Sequence, residues 1–149
     1  MKVGDIMRVR FIAVSPETSY EGAAKLMNTE SLPAIMVVDS DGKLVGILSE
    51  KDLFRAMYPD YGEFFVDPHA FIDEDVREER MNEVRKNPVH MYMTTNVRTV
   101  HPETPVMVAG GLMLSHHLHQ LPVLDDEHIV GTVSREYLFK RILRKNLGY

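Results

Sequence analysis

The segment Gly46-Ile47-Leu48-Ser49-Glu50-Lys51-Asp52 carries residue types that could bind a phosphorylated sugar. Gly46 has no side chain, so a ligand could approach the backbone closely there. Ser49 precedes a predicted helix, whose free N–H groups and dipole favour a phosphate. Asp52, one turn further on, can accept hydrogen bonds from both hydroxyls of a ribose. The Ser-x-x-Asp spacing also fits a capping box that merely begins a helix, and spacing alone does not separate the two interpretations.

Cationic side chains near this segment, and a run of histidines further along the chain, could contact phosphate. Lys51 and Arg55 lie on the helix that follows the segment. His116 and His119 could share a helix face, but no nearby carboxylate completes a ligand set, so no metal site is predicted. A phosphate contact for His117 or His119 is favoured over metal binding, and solvated polar surface is the default alternative. No nucleophile–base motif is present, so no catalytic residue is predicted.

The elements that must position these residues follow a strand–helix–strand–strand–helix pattern. Apolar runs predict strands at 11–14, 35–38 and 44–48. Thr18 or Ser19 begins the first helix, and the spacing of Thr18 and Glu21 fits a capping box. The turn at 39–42 has hairpin chemistry, and Ser49 begins the second helix. The same order returns at 98–100, 105–116, 122–124, 129–133 and 134–143.

This second pass is an internal repeat of the first. The sequence VSPET at 14–18 returns as VHPET at 100–104, a shift of 86 residues. Gly46 and Ser49 return as Gly131 and Ser134 at a shift of 85, because one residue is lost in the hairpin turn. The predicted fold class is α/β (α+β), with two βαββα units packed about a pseudo-two-fold axis. The predicted domains are 1–57 and 87–149, separated by an insert at 58–86.

The repeated motifs resemble those of a tandem pair of cystathionine-β-synthase (CBS) domains. The resemblance rests on VGDIM at 3–7, VSPET at 14–18, VVD at 37–39, GKLVGI at 42–47 and SEKDL at 49–53. In the second copy it rests on LPVLD at 121–125 and IVGTVS at 129–134. Each motif is weak alone, but their order, duplicated in register, is specific.

The resemblance implies an adenosine-binding cleft built from both copies, with Gly46, Ser49 and Asp52 on one side. On the other side, Thr99 would bond the base edge and the backbone at His119 and Gln120 would read the amino group. Lys51, Arg55 and His117 are the candidate phosphate contacts. The apolar walls of this cleft would be Val100, Leu121 and Pro122.

A mirror cleft would use Ser134 and Tyr137 against the first copy. Tyr137 stands where the ribose aspartate is expected, and Ala13 offers no polar group. The first copy would also contribute Pro33 and Ala34, although the usual proline before the valines is missing. We therefore expect one competent site per chain, with the second weak or empty.

The insert at 58–86 is longer than a simple connection requires. Phe64, Phe65, Val66, Phe71 and Ile72 make it rich in large apolar residues. These side chains could seal the core of the pair, or could form a lid or partner contact. The stretch 73–86 is charged and predicted to be helical.

Composition excludes several classes of function. The chain of 149 residues has no cysteine, which excludes disulfides, thiol catalysis and cysteine-bound metals. The net charge of −5 argues against a nucleic-acid binder. No apolar run is long enough to span a membrane, and no signal peptide is evident, so a cytoplasmic protein is expected.

These observations predict a regulatory module, not an enzyme, with no obligatory cofactor. It would sense an adenosine-containing ligand (AMP, ADP, ATP, S-adenosylmethionine or similar) and signal to an effector protein in trans. A homodimer is expected through outward helix residues, for which Leu26, Met27, Leu112 and Met113 are the candidates. The alternatives are a ligand-free structural or interaction module and, less favoured, a phosphohydrolase.

Overall fold

The computed structural model describes residues 1–58 and 74–148. The first repeat contains β1 (Ala13–Val14), α1 (Tyr20–Thr29), β2 (Ala34–Val38), β3 (Leu44–Ser49) and α2 (Glu50–Ala56). The connecting segment contributes α3 (Glu74–Val84). The second repeat contains α4 (Val106–Ser115), β4 (Gln120–Asp125), β5 (His128–Ser134) and α5 (Arg135–Leu147). The mixed α/β pair predicted from the sequence is confirmed. Phe64, Phe65, Val66, Phe71 and Ile72 lie outside the described residues.

The two sheets differ at their first strand. In the first repeat β1 pairs in parallel with β2, which pairs antiparallel with β3. In the second repeat β4 and β5 form an antiparallel pair, and the strand expected at 98–100 is reduced to a single parallel bridge between Val100 and Val123. The backbone of Val100 still donates to Pro122 and accepts from Leu124, so the bridge keeps the first-strand position.

Local sequence explains where the helices and turns begin. Ser19, rather than Thr18, caps α1 by accepting from the backbone N–H of Gly22 at 3.0 Å. The hairpin between β2 and β3 is closed by Asp39, whose carboxylate accepts from the backbone of Asp41 and Lys43. The shorter hairpin of the second repeat instead places two consecutive residues, 126 and 127, in the left-handed region.

Each repeat is completed by a segment that leads into the other repeat. Val3 and Ile6 are buried in the core of the second repeat, and the Val3 amide donates to Thr104 O at 2.8 Å. Val89 is buried in the core of the first repeat, and its amide donates to Thr18 O at 2.8 Å. The two leading segments, one containing Val3 and Ile6 and the other containing Val89, therefore cross between the two cores. The predicted boundaries at 57 and 87 divide the sequence, but the packing units overlap them.

Helix α3 belongs to the first core. Val84 is fully buried there, and Met81 packs against the same cluster. The Arg80 side chain donates to the carbonyl of Ala56 at 3.2 Å, which ties α3 to the end of α2. The end of the insert is therefore part of the scaffold and not a free connection.

No helix within residues 1–58 and 74–148 is long and apolar enough to cross a lipid bilayer.

Candidate functional site

A cavity of about 940 Å³ lies between the two repeats. The first copy contributes the stretch before β1 and the residues that begin β2, including Pro33 and Ala34. The second copy contributes the start of β4, the end of β5 and the first turn of α5. Both repeats therefore contact whatever occupies this space.

The second-copy wall is held together by backbone pairing. Gln120 lies opposite Ser134 in the β4–β5 register, and the Arg135 amide donates to His119 O at 2.9 Å. Ser134 caps α5 by accepting from the Tyr137 amide at 3.2 Å. The first turn of α5 is thus fixed beside the start of β4, with the positive end of the helix at the cavity.

Arginine side chains dominate the charge of the cavity. Arg8, Arg10 and Arg135 line it, together with the carboxylate of Glu136. The Glu136 carboxylate accepts a hydrogen bond from Lys140. This bond and the Lys140 charge, with a smaller contribution from the charge of Arg8, hold the pKa of Glu136 below its usual value. The negative charge of Glu136 is therefore already matched by a lysine on its own helix.

Arg8 is fixed in place by its backbone. Its N–H donates to Thr132 O at 2.8 Å, and its carbonyl accepts from the Thr132 N–H at 2.9 Å. The guanidinium lies 5.6 Å from the centre of the Tyr137 ring, a cation–π distance. Tyr137 contacts Arg8, packs against the core of the second repeat and does not line the cavity.

The structure groups the predicted residues differently from the sequence analysis. His119 and Gln120 were expected opposite Ser49 and Asp52, but they line the cavity beside Ser134. The His119 carbonyl, expected to help read the base, already accepts from the Arg135 amide. The cavity also contains Pro33, Ala34 and Ser134, which the sequence assigns to the cleft expected to be weak, whereas Ala13 and Tyr137 of that cleft do not line it.

Asp52 occupies a different environment from the one expected. It is 6 % exposed, and its Oδ2 accepts from the Ser49 N–H and from the Ser49 hydroxyl, both at 2.9 Å. The Thr94 hydroxyl donates to the same carboxylate at 3.3 Å. Ser49 accepts in return from the Asp52 amide, which completes a capping box. The capping interpretation is confirmed, and in this conformation the carboxylate that was expected to hold a ribose is turned towards its own helix.

Gly46 makes room for a neighbouring segment of the chain. A Cβ placed there would lie 2.5 Å from the Met93 sulfur and 3.1 Å from the Thr94 carbonyl. The segment leading into the second repeat fills the space beside Gly46, so the packing of the chain itself requires a glycine there, and a ligand contact at this position stays a prediction. Gly131 has the same relation to Met7 and Arg8.

The remaining predicted contacts divide by burial. Leu121 is fully buried and Val100 is 6 % exposed. Both side chains pack in the core of the second repeat and not against the cavity. Pro122 is buried as well. The surface of the protein carries the others: Thr99, Lys51, Arg55 and His117 are exposed, and Ala13 is partly exposed in β1. His117 lies in the left-handed region just after α4.

No three His, Asp or Glu side chains lie close enough to hold a metal ion within the part of the chain that the structure describes.

Sequence reasoning did not identify the arginines of the cavity. Arg8 and Arg10 precede the first strand, outside the motif that carried the argument, and Arg135 directly follows Ser134. In an extended segment, the alternation Arg8-Val9-Arg10 places two cations on the same side. This pattern could have indicated a cationic surface before the first strand.

The CBS domain family matches residues 3–59 and 87–144, one match for each repeat. This chain belongs to the CBS domain family. It is a tandem CBS pair, and similar proteins match most of its length. A CBS domain-containing protein of Dictyostelium discoideum is 29 % identical over 143 residues, which span 95 % of this chain and 91 % of that protein.

Solved CBS pairs have the same fold. The structure of CBSX2 in complex with AMP superposes with a TM-score of 0.74, 24 % identity and 97 % coverage of both chains. Another matching structure is that of CBSX2 from Arabidopsis thaliana. The CBS pair of the protein MJ0100, in complex with 5′-methylthioadenosine and S-adenosylmethionine, superposes with a TM-score of 0.72, 24 % identity and 98 % coverage of both chains.

Proposed function

We propose that this CBS pair is a regulatory module that binds an adenosine-containing ligand in the cavity and signals to a partner protein in trans. The cavity between the repeats is the observation that carries the proposal. Its volume of about 940 Å³ is large enough for a nucleotide, since ligand sites of about 300–1,000 Å³ are typical. Solved CBS pairs in complex with AMP, or with S-adenosylmethionine and 5′-methylthioadenosine, support the ligand class.

A ligand in this position can act as a signal because it contacts both repeats. It stabilises whichever arrangement of the repeats it prefers, and by no more than its difference in affinity for the two arrangements. At a hundredfold excess over its dissociation constant, a ligand supplies about 2.7 kcal/mol of linkage. That energy is enough to change the affinity of the module for an effector about a hundredfold. The chemistry proposed for the module is binding alone, with no bond made or broken.

Isothermal calorimetry with AMP, ADP, ATP, adenosine and S-adenosylmethionine tests the proposal. We expect at least one of them to bind with a stoichiometry of one per chain. An Ala34→Trp variant, which places a large side chain at the cavity wall, should abolish that binding. Asn28→Trp, on the exposed surface of α1, is the control for a general effect of the indole. If the wild type binds none of these compounds, the proposal is wrong.

We also propose a homodimer through the outer face of α4. Met107 is 71 % exposed and Val108 is 51 % exposed, and the helix contains no charged residue. Leu114, on the same helix, borders the cavity and is not assigned to this contact. The residues first expected at the interface include Met27 and Met113, which are buried in the cores of their own repeats. A helix that is apolar on all sides is normally covered. The exposed side of α4 therefore replaces them as the proposed contact.

The exposed apolar side of α4 also favours a second candidate function, a ligand-free interaction module. A ligand-free interaction module would bind its protein partner with the same affinity whether adenosine compounds are present or not, and this independence distinguishes it from a ligand sensor.

A further inference from the structure

The walls of the cavity carry unbalanced positive charge. Arg8, Arg10 and Arg135 contribute three guanidinium groups, and among the described lining residues Glu136 is the single carboxylate. This single carboxylate also accepts a hydrogen bond from Lys140, so it cannot balance the charge of three guanidinium groups. The excess is a local property of the cleft, because the chain as a whole has a net charge of −5.

Among the described side chains, the three guanidinium groups form no direct ion pair with a carboxylate. Those side chains belong to residues 1–58 and 78–148, where none of the three appears in a salt bridge. Arg135 Nη2 lies 2.9 Å from Nδ1 of His119, and Arg8 stacks on a tyrosine ring. Both contacts orient a guanidinium without cancelling its charge. Arginines held in this way are ready to accept an anion, since a guanidinium binds phosphate oxygens through two parallel N–H groups.

From this charge we infer that the cavity selects adenosine phosphates with two or more phosphate groups over adenosyl thioethers and sulfonium compounds. The inference rests on the proposed adenosine-binding function and narrows it. S-adenosylmethionine brings a sulfonium charge into a cationic wall, and 5′-methylthioadenosine brings no charge at all. A diphosphate or triphosphate instead offers enough negative charge to match all three arginines. The volume, near the upper end of the usual range for ligand sites, leaves room for such a chain of phosphates.

Calorimetry in EDTA at fixed ionic strength tests the order of affinities. We expect ATP and ADP to bind at least about tenfold more tightly than AMP, which loses one or more charge-assisted phosphate contacts. Adenosine, 5′-methylthioadenosine and S-adenosylmethionine should bind more weakly still. Inorganic tripolyphosphate is the control for a site that attracts any polyanion, and it should bind more weakly than ATP. Raising the salt concentration should weaken ATP binding and leave adenosine binding nearly unchanged.

Two variants assign the effect to the arginines. Arg10→Gln and Arg135→Gln should each weaken ATP at least about tenfold while changing adenosine affinity by less than about twofold. Arg144→Gln, in the last turn of α5 and exposed, is the matched control and should bind ATP as the wild type does. Thermal unfolding of each variant shows whether a loss of binding reflects a loss of folded protein.

The outcomes separate this inference from the proposed function. If S-adenosylmethionine or AMP binds as tightly as ATP in a cavity that Ala34→Trp blocks, the inference is overturned and the proposed function stands. If tripolyphosphate binds as tightly as ATP, recognition of adenosine is overturned. If no adenosine compound binds, both fail together.

Discussion

The hydroxyl of Ser49 donates to Oδ2 of Asp52 at 2.9 Å, inside the first turn of α2. This contact joins the two residues that the sequence analysis placed on a ligand. It also explains the low exposure of Asp52, because the carboxylate bonds to the helix start and to Thr94 instead of facing solvent.

Asp52→Ala should therefore lower the free energy of unfolding by about 1–2 kcal/mol, the loss of a helix cap and of a buried hydrogen-bonded carboxylate. Chemical denaturation measures this loss, and calorimetry with ATP measures affinity on the same protein. We expect affinity to change less than about threefold, because the cavity lies at the other cleft. A ten- to hundredfold weakening of affinity with unchanged stability, as expected for a bond to ribose hydroxyls, would return the ligand to the Asp52 cleft.

The paired glycines provide a second comparison. Gly131→Ala should destabilise the fold by about 1–3 kcal/mol, because the new Cβ would lie 2.5 Å from the backbone carbonyl of Arg8. Gly46→Ala should cost less, because its nearest obstacle is the flexible end of Met93. Urea denaturation of both variants gives the order. Equal stabilities, together with a specific loss of ligand binding in Gly46→Ala, would support the original ligand interpretation of Gly46.

Ser31 and His117 end the first helices of the two repeats in the left-handed region, at φ 53° and φ 55°. Replacing either by glycine should stabilise the protein by roughly 0.5 kcal/mol, because relief of a left-handed penalty of about 1–2 kcal/mol outweighs the added entropy of the unfolded chain. Melting temperatures should rise in both variants. His117→Gly should also bind ATP as the wild type does, and a loss of affinity there would restore His117 as a phosphate contact.

The ion pair between Glu21 and Arg85 should make stability depend on pH. Hydrogen bonds from Arg85 and then Lys25 hold the pKa of Glu21 below its usual value of 4.5. The stabilisation is therefore present above that value and is lost as pH falls through the lowered folded-state pKa. Glu21→Gln should be less stable than the wild type at pH 7, and the difference should shrink below pH 4.5. A difference that stays constant down to the acid transition would contradict this assignment.

Dimerisation should depend on α4 and not on the equivalent helix α1. Met107→Glu places a charge at the proposed apolar contact and should convert the dimer to a monomer at micromolar concentration in light scattering. Asn28→Glu adds the same charge at an exposed position of α1 and is the control. A wild type that is already monomeric, or a Met107→Glu variant that remains dimeric, would exclude this interface.

The repeat determined how much of the fold could be predicted. Because motifs such as VSPET and VHPET recur in register, the order of elements followed from the sequence with errors of a few residues at their ends. The crossing of the leading segments did not follow, since Val3 and Val89 are apolar positions that either core could bury. The cavity was harder to predict than the crossing. Whether Asp52 faces a ligand or its own helix depends on the orientation of its side chain, which residue spacing does not determine. Arg8 lies at the cavity because its backbone pairs with Thr132, a residue far along the chain.

The crossed leading segments also bear on synthesis by the ribosome. The amide of Val3 is bonded to the carbonyl of Thr104, so the segment around Val3 has no native position until Thr104 has also left the exit tunnel. The first repeat, in turn, lacks Val89 until the second has begun to emerge. The nascent chain thus cannot complete one half and then the other, because the segment around Val3 waits for residues that are synthesised long after it.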